Sequence, residues 1–129
     1  MTKLEEKIKW YKQAVLDLTT CLEQLRDKTK AYLDKYAYYK ELKNLYEKEG
    51  LELKNRGKLK TLKDVDVYIT GKTAEIKKEV VDLENSVKVL QLEERRLRIL
   101  LEYEKTVLLL ERSLEKEDID LNTISSFNS

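Results

Sequence analysis

Residues 55–64 read Asn55-Arg56-Gly57-Lys58-Leu59-Lys60-Thr61-Leu62-Lys63-Asp64, and their reading decides the fold, because a long apolar ladder runs up to them and another leaves them. Glycine marks chain reversals, so one reading turns the chain at Asn55-Arg56-Gly57-Lys58. A helix then restarts with Thr61 as its N-cap and Asp64 three residues later, the spacing at which an acidic side chain reaches back to the cap. A second reading takes Val65-Asp66-Val67-Tyr68-Ile69 as an extended or strand segment, since it alternates and is β-branched. Helix two then begins near residues 70–73. Both readings give a hairpin.

Upstream, steps of four and three place Leu4, Ile8, Tyr11, Val15, Leu18, Leu22, Leu25, Thr29, Tyr32, Tyr36 and Tyr39 on one seam. A 3.5-residue repeat sustained this long predicts a helix supercoiled against another. Past Tyr39 the phase slips and continues through Leu42, Tyr46 and Leu53. Thr2 is a fitting N-cap, with Glu5 at the capping-box position. Downstream, Ile76, Val80, Leu83, Val87, Leu90, Glu94, Leu97 and Leu101 form the second ladder. A further slip leads to Leu100, Tyr103, Val107, Leu110 and Leu114, and nine of the fourteen residues from 97 to 110 are apolar. That stripe is too wide for a two-helix seam and predicts contact with more than one neighbour.

The expected fold is therefore all-α: an elongated antiparallel helical hairpin or coiled coil that assembles into a multi-helix bundle. Arm one covers about 3–55, the turn or irregular segment about 56–72, and arm two about 73–117, with a flexible polar tail at 118–129. Each arm, at some 50 to 55 residues under the turn at 55–58, extends about 80 Å. Composition agrees. Of 129 residues 40% are charged, 41% are hydrophobic, proline is absent and only three glycines occur, which is the composition of long helices.

The net charge of +1 is unevenly spread: residues 1–60 carry 15 basic and 10 acidic side chains, and residues 101–129 carry 3 and 7. A single cysteine, Cys21, excludes an intrachain disulfide. No N-terminal apolar run resembles a signal peptide, and the longest clearly apolar stretch, 107–110, is far too short to cross a bilayer. A soluble protein inside the cell, cytoplasmic or nuclear, is the expectation.

Catalytic and cofactor chemistry find little to stand on. The chain has no histidine, which removes the commonest general base, the histidine triads and most zinc sites. Thr70-Gly71-Lys72-Thr73 looks like the end of a phosphate-binding loop, but the loop's first glycine position is held by Asp66. Cys21, beside Leu22, reads as a buried thiol flanking the seam. The expectation is a protein that is not an enzyme and carries no cofactor or metal.

What remains is binding. The expected interface residues are Leu18, Leu22, Leu25, Tyr32, Tyr36, Tyr38, Tyr39, Leu97, Leu100, Leu101 and Leu108. Five of the eight tyrosines fall between 32 and 46, and aromatic residues at a rim are favoured anchors. Trp10 is a further anchor candidate. Lys54, Arg56, Lys58 and Lys60, with Lys63 after them, crowd the hairpin tip and form a candidate docking site for a partner. Ile119, Leu121, Ile124 and Phe127 form a candidate docking motif in the tail.

The functional expectation is a coiled-coil scaffold or adaptor subunit of a larger, hetero-oligomeric complex. Its partners are other proteins or copies of itself, with no membrane span and no nucleic acid. The alternative is a chaperone. Gly57-Lys58-Leu59 followed by residues 65–71 resembles the hairpin region of prefoldin subunits, and an all-helical version is similar to the tubulin-binding cofactor A family. That resemblance implies a client protein held between helical arms.

Overall fold

The computed structural model describes the backbone of residues 2–128 and the side chains of residues 2–117. It is an all-α helical hairpin whose two helices, α1 (Lys3–Asn55) and α2 (Leu62–Asn128), pack against each other. No strand occurs among the described residues, so the extended reading of Val65–Ile69 gives way to the helical one. The irregular segment expected at 56–72 shrinks to the six residues between α1 and α2, and arm two starts at Leu62 rather than near 73. The tail expected at 118–129, with Ile119, Leu121, Ile124 and Phe127, has its side chains outside the described residues, and its backbone to Asn128 belongs to α2.

Each helix begins and ends on a local signal. At the start of α1, the Glu5 N–H donates to Thr2 Oγ1 at 3.1 Å, and Glu5 and Glu6 place negative charge in the first turn, where the helix dipole favours it. At its end Gly57 takes a φ of +77°. The Gly57 N–H donates to the Lys54 carbonyl at 3.0 Å and the Lys58 N–H to the Leu53 carbonyl at 2.9 Å. These are the paired bonds of a Schellman cap, which needs a left-handed residue at its centre. Helix α2 then starts from a reciprocal box. The Asp64 N–H donates to Thr61 Oγ1 at 3.2 Å, while Asp64 Oδ2 accepts from the backbone N–H of Thr61 at 3.1 Å and of Lys60 at 3.3 Å.

The chain's contacts fall into two units. In Gln24–Leu90 the turn brings α2 back along α1. Val65, Ile69, Ile76, Val80 and Val87 are buried on α2, with Thr73 among them. Thr73 satisfies its hydroxyl within the helix, donating to the Ile69 carbonyl at 2.8 Å. Across from them stand half-buried Leu25, Tyr32, Tyr39, Leu42, Tyr46 and Leu53 of α1. Buried Gly50 allows the closest approach: a Cβ there would meet Val65 Cγ1 at 3.0 Å and Tyr68 Cδ1 at 3.3 Å.

The second unit joins Met1–Glu23 to Gln91–Ser129. Its core is Ala14, Leu18, Cys21 and Leu97. Each well-buried aliphatic side chain contributes about 1.5–3 kcal/mol, so both units depend on a few side chains along one line.

The two exposed glycines separate cap from helix. Gly57→Ala forces a β-carbon into the left-handed region, at a cost of about 1–2 kcal/mol, and thermal denaturation followed by circular dichroism is expected to give a lower midpoint. Gly71 lies inside α2 with no atom within 4 Å of an added Cβ. There Gly71→Ala is expected to raise the midpoint through the better helix propensity of alanine, by about 0.5–1 kcal/mol.

Candidate interaction surfaces

A helix with one neighbour buries one stripe, and the burial pattern shows where that stripe runs. On α1 the heptad expectation named Val15 and Leu22. The residues 4% exposed are instead Ala14 and Cys21, while Val15 is 39% and Leu22 38% exposed. Small side chains hold the contact line, and the larger ones move to its rim. Cys21 thus sits on the seam itself, and its thiol is pushed up in pKa by burial and by the carboxylates of Glu93 and Glu94. That disfavours the thiolate, the reactive form of a cysteine.

On α2 the ladder from Ile76 to Leu101 is buried or half-buried throughout, including Glu94. The slip to Leu100, Tyr103, Val107, Leu110 and Leu114 holds only in part, since Leu100 and Val107 are half-buried. The seam keeps its phase through Leu97, Leu101, Glu104, Leu108 and Glu111, and Tyr103, Leu110 and Leu114 are exposed. Glu104 Oε2 is buried with no hydrogen-bond partner, an arrangement that costs about 1–3 kcal/mol. Arg96 forks onto Glu93 at 2.6 and 3.0 Å and holds that carboxyl below its ordinary pKa, and Arg98 bonds Glu94 at 2.8 Å.

The apolar residues displaced from the seam form a second face. At 3.6 residues per turn, Leu92, Ile99, Tyr103, Leu110 and Leu114 fall within an arc of about 60°. All five are exposed, Ile99 at 72%. The over-wide apolar stripe from 97 to 110, expected to meet more than one neighbour, is the sequence signal for this face.

The other expected interface residues divide. Leu18 and Leu97 are interior to the hairpin, Leu25, Tyr32, Tyr39, Leu100, Leu101 and Leu108 are half-buried, and Leu22, Tyr36 and Tyr38 are exposed. The tyrosines of α1 do meet one another. Tyr32 stacks on Tyr36 with centroids 5.9 Å apart, Tyr36 lies 6.5 Å from Tyr39, and Lys40 caps the Tyr36 ring at 4.7 Å. Tyr38 stands apart from this ladder, beside a shallow groove lined by Ala31, Asp34, Lys35 and Leu83. A larger open groove of about 630 Å³ lies between Gln24, Asp27 and Lys28 on α1 and Asn85, Ser86, Val89 and Leu90 on α2. Trp10 is about half exposed, with the Lys7 ammonium 4.1 Å from its ring centroid.

At the tip, Arg56, Lys58, Lys60 and Lys63 are exposed and Lys54 is half-buried. Close by, Tyr68 packs edge-on against Tyr46 at 6.4 Å, and its hydroxyl donates to Glu49 Oε1. Sequence reasoning passed over this pair, since nineteen residues separate its members and neither belongs to a motif. Among the described residues no group of His, Cys, Asp or Glu gathers to hold a metal ion, and no helix is long and apolar enough to cross a membrane. Comparison with protein-family models, with curated proteins and with solved structures gives no match to this chain.

The Tyr68–Glu49 bond has a pH signature. It pushes the phenol up to about 12, with burial and the Glu49 and Tyr46 charges adding to the hydrogen bond. A raised phenol pKa means that the folded chain favours the neutral form. The bond's contribution is therefore whole below pH 10 and lost as pH climbs toward 12. Melts of the parent chain and of Tyr68→Phe are expected to differ below pH 10 and to converge near pH 12. Absorbance at 295 nm is expected to show one late-titrating tyrosine that the variant lacks.

Proposed function

We propose that this chain is a non-enzymatic interaction subunit, a coiled-coil scaffold or adaptor that works by presenting helical surfaces to other protein chains. The observation that carries this reading is the outward face of α2, where Leu92, Ile99, Tyr103, Leu110 and Leu114 lie exposed along one arc. Apolar side chains gathered on one exposed arc, with Arg96 the charged residue among them, support an interface. The position of α2's hydrophobic residues supports the same reading, since the inward line carries Glu94, Glu104 and Glu111 while leucine, isoleucine and tyrosine point outward. That distribution is wasteful for a lone hairpin and suits a helix with a second neighbour.

The mechanism is spacing and recruitment. Seam contacts between α1 and α2 hold the helices, and the outer face docks a further helix, giving a bundle of more than two. Exposed Tyr36 and Tyr38 add aromatic contact area of the kind that anchors interfaces. An intracellular setting fits a chain whose single cysteine is a buried thiol.

Seam and face give opposite results on substitution. Leu97→Asp places a charge in the core and is expected to unfold the unit, with loss of far-UV helical signal. Ile99→Asp and Tyr103→Asp are expected to keep the helical signal and weaken association on the order of 100-fold, about 2.7 kcal/mol. Mass-resolved chromatography of the purified chain, followed by capture from its native lysate, reads this out. A parent chain that stays monomeric at tens of micromolar and captures no partner overturns the proposal.

A further inference from the structure

We propose that the turn between α1 and α2 is a docking tip for an anionic lipid surface. The proposal is independent of the interaction face on α2. Between residues 54 and 63 the chain carries Lys54, Arg56, Lys58, Lys60 and Lys63 and no acidic side chain. None of the five forms an ion pair with a described residue, and four of them are exposed. The nearest carboxylate, Asp64, is engaged by the backbone N–H groups of Lys60 and Thr61. Its charge serves the helix cap and does not tie down a lysine. The turn itself is fixed by the Gly57 cap and the Thr61–Asp64 box, so the cations are displayed from an ordered scaffold and no loop has to be immobilised on binding.

Three features select a lipid surface among polyanions. Four of the five cations are lysines, point charges suited to a diffuse anionic layer; arginine forks are what bidentate recognition of one carboxylate or phosphate uses. The tip is a reversal between two helices, with no strand edge among the described residues to pair with a peptide, and residues 54–63 contain no aromatic ring on which a nucleobase could stack. Among the cations stands Leu62, 63% exposed, with Leu59 half-buried beside it. An exposed apolar side chain flanked in sequence by lysines matches the headgroup boundary, where leucine enters the acyl edge while ammonium groups stay at the phosphate level.

Each lysine or arginine near an anionic leaflet strengthens partitioning about fivefold, and the effect is confined to roughly a Debye length. The full chain, incubated with sucrose-loaded vesicles of phosphatidylcholine with about 30% phosphatidylserine, is expected to sediment with them at low salt. It is expected to release as salt rises and to ignore vesicles of phosphatidylcholine alone. Lys58→Ala with Lys60→Ala is expected to weaken binding about 25-fold. Leu62→Ser is expected to weaken it several-fold at unchanged salt dependence, the mark of an apolar contribution that pure charge attraction lacks. Circular dichroism of each variant establishes that the hairpin persists. Lys30→Ala, at an exposed lysine of α1 distant in sequence from the tip and from the α2 face, is expected to bind vesicles as the parent does. Sedimentation that is equal with and without phosphatidylserine, or indifferent to the two lysines, overturns the proposal. So does binding to polyglutamate or to a nucleic acid with none to the anionic vesicles.

Discussion

A helix in contact with one other helix can hide one stripe of its surface, and in this protein the burial pattern of both helices follows from where that stripe lies. The stripe is narrow. Among the described residues no large side chain is fully buried, and the best-covered positions are Ala14, Leu18, Cys21 and Leu97 in one unit and Val65, Thr73 and Val80 in the other. Small or β-branched residues dominate because two helices without a third approach closely only where side chains are short. Gly50 is the extreme case, since Val65 and Tyr68 occupy the space a β-carbon there would need. Surface ion pairs such as Lys35–Glu79, at 3.1 Å and about half exposed, add little beside this burial.

The same constraint explains the outer face of α2. Within the unit that joins Met1–Glu23 to Gln91–Ser129, buried Leu97 anchors the inward line of α2, and half-buried Leu101 and Leu108 share its phase. The chain therefore takes Glu104 and Glu111 onto the inward line and turns Tyr103, Leu110 and Leu114 outward. A carboxylate oxygen without a partner at Glu104 and a row of exposed apolar side chains are two consequences of one register. The tip is governed differently. Its geometry is local, settled by a left-handed glycine and a Thr–Asp box, and its cations form no ion pair with the flanking Glu52, Asp64 or Asp66.

Much of this could be read from residues alone. The limits of α1, the turn at Asn55–Lys58, the Thr61–Asp64 restart and the ladder from Ile76 to Leu101 all rest on interactions between residues three or four apart. Those are fixed by propensity, capping chemistry and periodicity. Val65–Ile69 could be read two ways because β-branching and alternation describe a strand as well as a helix that packs against one. Val65 and Ile69, four apart, bury together, and the partner helix decides between the two forms. The Tyr68–Glu49 bond and the Gly50 approach were illegible for a plainer reason, since they join residues brought together only by the hairpin.

By itself, then, the order of amino acids determined that this chain is a helical hairpin that reverses after Asn55, with Thr61 and Asp64 as one of two starts for the second helix, because those are short-range matters of backbone hydrogen bonding and side-chain spacing. Tertiary structure alone decided which of two adjacent residues faces inward: Ala14 over Val15, Cys21 over Leu22, Glu104 over Tyr103. The reason is rotational. A repeat of 3.5 and a helix of 3.6 residues per turn differ by only about 20° per heptad, so periodicity locates a face to within one residue. The last rotation is set by how closely the opposing backbone can approach.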